Sequence, residues 1–166
     1  MQESRYLKDN LENIQRMMSI PALRNFETSN LSRLLHLSKM REYEKDEPII
    51  QEGDEDPWLY FILEGSVRIT KKGIEIGVLR EVGEVFGEMR IIDSQSRSAT
   101  VVALEPTVCL AINTMAKDRM VGVGDRDEQL DFLLLLYRIF AEFLSIRLRL
   151  TNEELIKANK ILQALA

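Results

Sequence analysis

The positions of the glycines constrain the fold of this chain more than any other feature of its sequence. All eight glycines of the 166 residues lie between Gly53 and Gly124. Glycine favours turns and weakens helix interiors, so the middle of the chain is expected to hold short strands joined by turns. The two glycine-free ends are expected to be helical. The sequence therefore predicts a helical start, a strand-rich centre and a helical end.

Apolar spacing supports helices at the start of the chain. Leu7, Leu11, Ile14 and Met18 recur every three or four residues, which is the period of one helix face. A second short helix is predicted at about residues 29–37, where leucines are dense and Ser29 or Asn30 could cap the first turn.

The C-terminal zone predicts one long helix. Apolar residues keep a spacing of three or four from Leu130 to Leu165, a length of about 50 Å at 1.5 Å per residue. A helix this long and this apolar needs more cover than its own domain offers, which predicts a homodimer through it. The alternative is that the helix folds back on the strands and ends near Thr151, where Thr-Asn-Glu-Glu has the form of a capping box.

The middle zone has the composition of strands. Its segments are rich in β-branched and aromatic residues and are separated by glycine turns or by Glu105-Pro106. The predicted strands cover residues 58–63, 67–69, 74–78, 98–104 and 107–112. Many short strands of this kind predict a small antiparallel sandwich or barrel, within an α+β fold class.

Charge and composition exclude several classes of function. The net charge of −5 comes entirely from residues 48–125, which argues against a basic surface for nucleic acid. One cysteine, Cys109, excludes an internal disulfide framework and suits the cytoplasm, and one histidine, His36, argues against a metal site. Neither a signal peptide nor a membrane-spanning run is evident. No nucleophile, base and orienting group form a recognisable set, so an enzyme is not expected.

One segment, Phe86 to Thr100, has the features of an anion site, and we call it the cassette. Its pattern predicts a strand end, Gly87, a helix of one or two turns, and a turn into the next strand. The first amides of a short helix have no internal partners and favour an anion. Arg97 is a candidate phosphate clamp because its planar fork can bind two oxygens. Glu88 would be repelled by phosphate, so a ribose hydroxyl is its expected partner.

The cassette resembles the phosphate-binding cassette of the cyclic nucleotide-binding domains. Phe86-Gly87-Glu88 and Arg97-Ser98-Ala99-Thr100 fit the family pattern at the usual separation. The resemblance covers about residues 20–160 and is greatest to the ligand-binding and dimerisation part of the bacterial catabolite activators. It implies an antiparallel β-roll, a jelly-roll-like barrel, with N-terminal helices and a long C-terminal dimerisation helix. The implied domains are a helical extension at 1–19, the β-roll at 20–125 and the dimerisation helix at 126–166.

The resemblance also implies the roles of individual residues. Glu88 would bind the ribose 2′-hydroxyl, Arg97 would pair with the cyclic phosphate, and amides near Gly87, Glu88 and Ser98 would complete the cradle. Thr151 and Asn152 would contact the base across the dimer, and Arg147 would face Glu88. The implied ligand is cAMP or cGMP, with cAMP favoured and no metal. The full set of expected ligand-binding residues is Phe86, Gly87, Glu88, Met89, Arg97, Ser98, Ala99, Thr100, Thr151 and Asn152.

The function expected from these features is a regulatory sensor. Nucleotide binding would reorient the C-terminal helix about a hinge at Gly122-Val123-Gly124, and an effector protein could receive the signal. DNA binding is not expected, because the chain ends too soon after the helix for a helix-turn-helix domain. The alternative is a dimeric scaffold that keeps the fold without the ligand. Arg90 favours the scaffold, because the family has a small residue there; its side chain could crowd the pocket, contact phosphate or turn to solvent.

Overall fold

The computed structural model describes residues 2–3, 15, 18–20, 23, 34, 37–114 and 126–165. The chain divides into two compact units, Met1–Gly124 and Asp125–Ala166. The described part of the first unit contains strands and a short helix, and the second is one long helix. The predicted hinge at Gly122–Gly124 and the single histidine, His36, lie outside the described residues.

The strands form two antiparallel sheets. One sheet has the order β1-β2-β9-β4-β7 and the other the order β3-β8-β5-β6, and each pairing of neighbours is antiparallel. This confirms the predicted antiparallel β-roll. The strands are β1 Gln2–Glu3, β2 Ser38–Tyr43, β3 Pro48–Ile50, β4 Trp58–Glu64, β5 Val67–Lys71, β6 Ile74–Leu79, β7 Val85–Phe86, β8 Thr100–Ala103 and β9 Thr107–Asn113.

Besides β1, the strands β2 and β3 were not predicted from the sequence. β2 carries Lys39, Arg41 and Glu42, so it lacks the alternation of apolar and polar residues that indicates a strand. Arg41 nevertheless points into the roll and is only 8% exposed. β3 has three residues and begins with Pro48, which is typical of a short edge strand. Local patterns therefore miss strands that are charged or very short.

The core lies between the two sheets. Tyr60 and Ile62 of β4 belong to this interior cluster, together with Cys109 and Ala111 of β9. The alternating residues of β4, including Phe61, are also buried, on the other face of the strand. Burial of Cys109 raises the pKa of its thiol to about 12, as expected for an unreactive cysteine of the core.

The start of the chain departs from its prediction. Gln2 and Glu3, expected within a helical extension, form β1 and pair with Glu42 and Arg41 of β2. β1 therefore covers the part of the β2 edge at Arg41 and Glu42, which would otherwise be an open sheet edge. The remaining residues of the predicted extension and of the helix at 29–37 lie mostly outside the described residues.

The C-terminal helix is continuous. It runs from Arg126 to Leu165, a length of about 60 Å for 40 residues. The alternative of a helix end near Thr151 is therefore wrong: Thr151 to Glu154 lie inside the helix. The reason is that no glycine or proline follows Gly124, so nothing breaks the backbone hydrogen bonds there. Among the described residues, neither helix is both long and apolar enough to cross a bilayer.

Candidate functional site

The cassette has the local structure that its sequence predicts. β7 ends at Phe86, Gly87 takes a φ of +83°, and the short helix α1 runs from Met89 to Asp93. Ser94 ends α1 in the left-handed region, where its N–H donates to the carbonyl of Arg90 at 2.9 Å. The chain then returns through residues 95–99 into β8, so both halves of the cassette lie side by side.

Arg97 is the buried centre of the cassette. Its side chain is 3% exposed, and the guanidinium donates from Nε and Nη2 to the two carboxylate oxygens of Asp56, at 2.9 and 2.5 Å. Nη1 donates to the carbonyl of Gly87 at 2.8 Å, and Nη2 also donates to the carbonyl of Trp58. Four of the five N–H groups are thus bonded, which offsets the cost of burying the charge.

Gly87 is required by this arrangement. A Cβ atom built on Gly87 would lie 2.7 Å from Arg97 Nη1 and 3.1 Å from the carbonyl oxygen of Trp58. Its positive φ adds a second reason, because side chains disfavour that conformation. The resemblance implies that amides near Gly87 form part of a phosphate cradle. In the structure the group that approaches Gly87 is the Arg97 guanidinium.

Asp56 is a site residue that sequence reasoning missed. Its side chain is 31% exposed, so it is reached by water on one side and by Arg97 on the other. Burial by itself raises the pKa of Asp56, but the hydrogen bonds and charge of Arg97 outweigh it and hold the pKa below its usual value. The only available signal was chemical: a buried arginine needs a carboxylate, and an acidic stretch precedes Trp58.

Backbone bonds hold the cassette to the loop between β3 and β4. The N–H of Gly53 donates to the carbonyl of Arg97, and the N–H of Arg97 donates to the carbonyl of Asp54, both at 2.8 Å. The hydroxyl of Thr100 accepts from the N–H of Glu52 at 3.0 Å. Asp56 belongs to the same loop, so these backbone bonds bring its backbone close to Arg97.

Glu88 and the short helix form the other half of the cassette. Glu88 is 4% exposed and precedes α1 without capping it through its side chain. Met89 is 48% exposed, and its sulfur accepts from the hydroxyl of Ser98 at 3.3 Å. Ser98 and Ala99 are half-buried. Expected residues 86–89 and 97–100 are therefore brought together in one region of the roll.

Arg90 makes a hydrogen bond within the cassette itself. It is half-buried, and Nη1 donates to the carbonyl of Gln95 at 2.9 Å, within the cassette's own loop. The bond spans five residues and closes the turn that follows α1. Arg90 therefore supports the shape of the cassette, and its length does not by itself argue for a lost ligand.

Aromatic side chains form the interior wall beside the cassette. Phe86 stacks on Tyr60 with ring centres 5.0 Å apart and an angle of 6°. The guanidinium carbon of Arg41 lies 3.9 Å from the centre of the Trp58 ring, and Arg41 donates to the hydroxyl of Tyr60 at 2.9 Å. Trp58 and Tyr60 are thus packing residues, and no local sequence pattern indicated that Arg41 packs with them.

The remaining expected residues lie in the second unit. Thr151 and Asn152 are exposed on the C-terminal helix, which we call α2, and Arg147 is half-buried there. Their contacts with a base or with Glu88 stay predictions. Within the part of the chain that the structure describes, no group of three or more histidine, cysteine, aspartate or glutamate side chains could hold a metal.

Comparison with known proteins finds one domain family that part of the chain matches. The family model of the cyclic nucleotide-binding domain matches residues 40–121. Over 111 residues the chain is 31% identical to a cGMP-dependent protein kinase of Toxoplasma gondii, and the match covers 67% of this chain and 11% of that kinase. The chain therefore spans only a small part of this relative, and the kinase's activity is not transferred to it.

Two solved structures have the same fold. A cyclic nucleotide-binding domain from Methylobacillus flagellatus matches with a TM-score of 0.72 at 22% identity, over 87% of this chain and 83% of that chain. The catabolite activator protein of Thermus thermophilus matches with a TM-score of 0.60 at 29% identity, over 81% of this chain and 61% of that chain. Kinase and bacterial relatives are similar to comparable degrees, so the predicted preference for the catabolite activators is not supported.

Proposed function

We propose that this chain, whose residues 40–121 match the cyclic nucleotide-binding domain family, is a regulatory sensor that binds a cyclic nucleotide at the cassette. The observation that carries the proposal is the buried Arg97 guanidinium beside Gly87, at the junction of both cassette halves. A phosphodiester anion fits a buried, planar cation of this kind, because two of its oxygens can accept parallel hydrogen bonds from the guanidinium.

The proposed roles follow the cassette residue by residue. Arg97 pairs with the cyclic phosphate, and backbone amides near Gly87, Glu88 and Ser98 complete its cradle. Glu88, a buried carboxylate, accepts from the ribose 2′-hydroxyl. The other proposed contacts are made by Phe86, Met89, Ala99 and Thr100.

A ligand phosphate has to compete with Asp56 for Arg97. Asp56 is partly exposed, so its carboxylate can turn towards water when the anion arrives. Charge-assisted bonds to a guanidinium contribute about 1.5–3 kcal/mol each, so a phosphate that gains several such bonds can displace one carboxylate. Arg97 keeps its bonds to backbone carbonyls and need not move.

The nucleotide we propose is cAMP in preference to cGMP. Thr151 and Asn152 are the proposed base contacts, supplied by α2 of a dimer partner. The Toxoplasma gondii relative is named a cGMP-dependent kinase, and the Ser98 hydroxyl could reach a guanine, which makes cGMP the competing ligand.

The proposed dimer rests on the pattern of α2. Residues that are apolar, with the exception of Thr151, recur at alternating intervals of three and four, as in a coiled coil, and most of them are exposed in the single chain. Ligand binding would change the arrangement of the two helices only if the nucleotide binds one arrangement more tightly. The proposed seam consists of Leu134, Tyr137, Ala141, Leu144, Leu148, Thr151, Leu155, Ala158, Leu162 and Leu165.

Calorimetric titration tests the proposal. The protein is unfolded, refolded without nucleotide and titrated with cAMP and with cGMP, and Arg97→Ala serves as the loss-of-site variant. Arg90→Ala is the matched control, because Arg90 lies in the same cassette but bonds to Gln95. We expect micromolar or tighter binding that Arg97→Ala abolishes and Arg90→Ala largely keeps. Absence of heat with both nucleotides from folded protein would refute the sensor.

A second candidate function is a dimeric scaffold that binds no nucleotide. The observation that favours it is that Asp56 already pairs with Arg97, so the site is electrostatically complete without a ligand. The same titration decides between the two: a folded dimer that binds neither nucleotide supports the scaffold.

A further inference from the structure

Arg41 is a second buried cation near the cassette, although it lies far from it in sequence. It is 8% exposed and sits on β2 directly opposite Cys109 of β9, a member of the interior cluster. Residues opposite each other in a sheet share a face, so Arg41 points into the roll. A guanidinium in this position requires compensation, as Arg97 does.

Trp58 joins Arg41 to the Asp56–Arg97 pair. Its ring centre lies 3.9 Å from the guanidinium carbon of Arg41, and its N–H donates to Asp56 Oδ1 at 3.2 Å. Its carbonyl accepts from Arg97 Nη2. Three charged side chains therefore contact one residue, each at a different part of it.

The charges at this site explain why a second cation would matter. Without ligand, Asp56 neutralises Arg97. A phosphodiester on Arg97 adds a negative charge next to the Asp56 carboxylate, in a partly buried place where charges interact strongly. Burial raises the pKa of Asp56, while Arg97 and, to a smaller degree, Arg41 lower it, so Arg41 already acts on this carboxylate.

We propose that Arg41 is a positioning residue of the anion site, which compensates the Asp56 carboxylate when an anionic ligand occupies Arg97. The inference rests on the proposed function. When the phosphate binds Arg97, Asp56 loses its hydrogen bonds to that guanidinium. The positive charge of Arg41 then compensates the Asp56 carboxylate. Arg41 itself stays on Trp58 and Tyr60 and does not touch the nucleotide.

A double-mutant cycle with Asp56 tests this role. Dissociation constants for cAMP and cGMP are measured for wild type, Arg41→Gln, Asp56→Asn and the double variant. We expect Arg41→Gln to weaken binding about tenfold, because Asp56 then competes with the ligand without compensation. In the double variant no carboxylate needs compensation, so its affinity should return to within about threefold of Asp56→Asn.

Further variants separate charge from packing. Arg41→Lys keeps the charge and should bind more tightly than Arg41→Gln. Arg41→Met keeps an unbranched stem over Trp58 and replaces Arg41→Gln in the cycle if that variant does not fold. Arg68→Gln is the matched control and should bind as wild type, because Arg68 is half-buried but alternates with the interior residue Val67 on β5.

The possible outcomes distinguish this inference from the proposed function. If wild type binds and Arg41→Gln binds equally well, Arg41 has no positioning role and the sensor stands. If Arg41→Gln lowers the affinity equally in the wild-type and in the Asp56→Asn background, Arg41 only supports the fold. That outcome also overturns the inference. If wild type binds neither nucleotide, both the sensor and the role of Arg41 are refuted.

Discussion

The Arg97 guanidinium can be buried because four acceptor atoms from three residues surround it. Asp56 supplies charge, Gly87 and Trp58 supply carbonyls, and the absence of a Cβ on Gly87 supplies the space. Loss of any one of these acceptors leaves a buried guanidinium N–H without a hydrogen bond, which lowers the free energy of unfolding. The cassette is therefore a small cooperative unit at the level of single residues.

Gly87→Ala should destabilise the fold by more than the cost of placing an alanine at a positive φ. A new Cβ would meet Arg97 Nη1 at 2.7 Å. Gly73→Ala is the matched control, because Gly73 also has a positive φ, +77°, but has nothing within 4 Å of its Cβ position. We expect about 1–2 kcal/mol lost in Gly73→Ala and a further ~1–3 kcal/mol in Gly87→Ala, measured by urea unfolding. Equal losses would show that the close packing against Arg97 is unimportant.

The Asp56–Arg97 pair should make stability depend on acid. The pKa of Asp56 is lowered in the folded protein, because the bonds and charge of Arg97 outweigh the raising effect of burial. The contribution of the pair is therefore complete above the ordinary carboxyl pKa and is lost as pH falls through the lowered value, below about pH 4.

Urea unfolding between pH 6 and pH 3 measures this contribution. Wild type should lose more stability on acidification than Asp56→Asn, which has no carboxylate to protonate at this position. Asp54→Asn is the control: Asp54 contacts Arg97 through its backbone carbonyl, so the variant should keep the wild-type slope. Parallel curves for wild type and Asp56→Asn would contradict the prediction.

At the level of elements, α2 differs from the strands in that most of the apolar side chains described on it are exposed. Leu148, Leu155 and Leu162 are 63%, 57% and 65% exposed and are spaced seven residues apart. A strict seven-residue repeat is typical of helices that supercoil around a partner. Phe140 and Leu144 are the described exceptions, one buried and one half-buried.

Charges placed in the proposed seam should separate the dimer. Leu155→Glu combined with Leu162→Glu puts like charges opposite each other, and we expect the dimer dissociation constant to rise at least about a hundredfold. Sedimentation velocity measures it. Lys157→Glu combined with Lys160→Glu changes charge on the same helix away from the seam and should leave a dimer. A monomeric wild type would refute the seam.

On the scale of the whole molecule, the two compact units have different compositions. All of the net charge lies in the strand zone, whereas the two ends of the chain each carry equal numbers of acidic and basic residues. An acidic zone does not attract anions from a distance, so a phosphate ligand has to be recognised by the built site around Arg97 and not by the general field. Recognition and long-range attraction are therefore separate properties in this protein.

The sequence by itself determined the elements whose signals are local. Glycine placement, β-branched runs and helical spacing located β4, β5, β6, β8, β9 and α2, and the cassette pattern gave the strand, turn and helix around Gly87. These features depend on residues within one or two turns of each other, so a linear pattern records them.

Only the tertiary structure decided which residues meet. Asp56 and Arg97 are 41 positions apart, and the sequence pattern around either residue does not predict their contact. The apolar pattern did not indicate β2, because Arg41 occupies one of its inward positions. β1 is a strand through its pairing with β2, which no local pattern records. Burying a charge is favourable only where distant groups compensate it, so the compensation becomes visible only when the chain is folded.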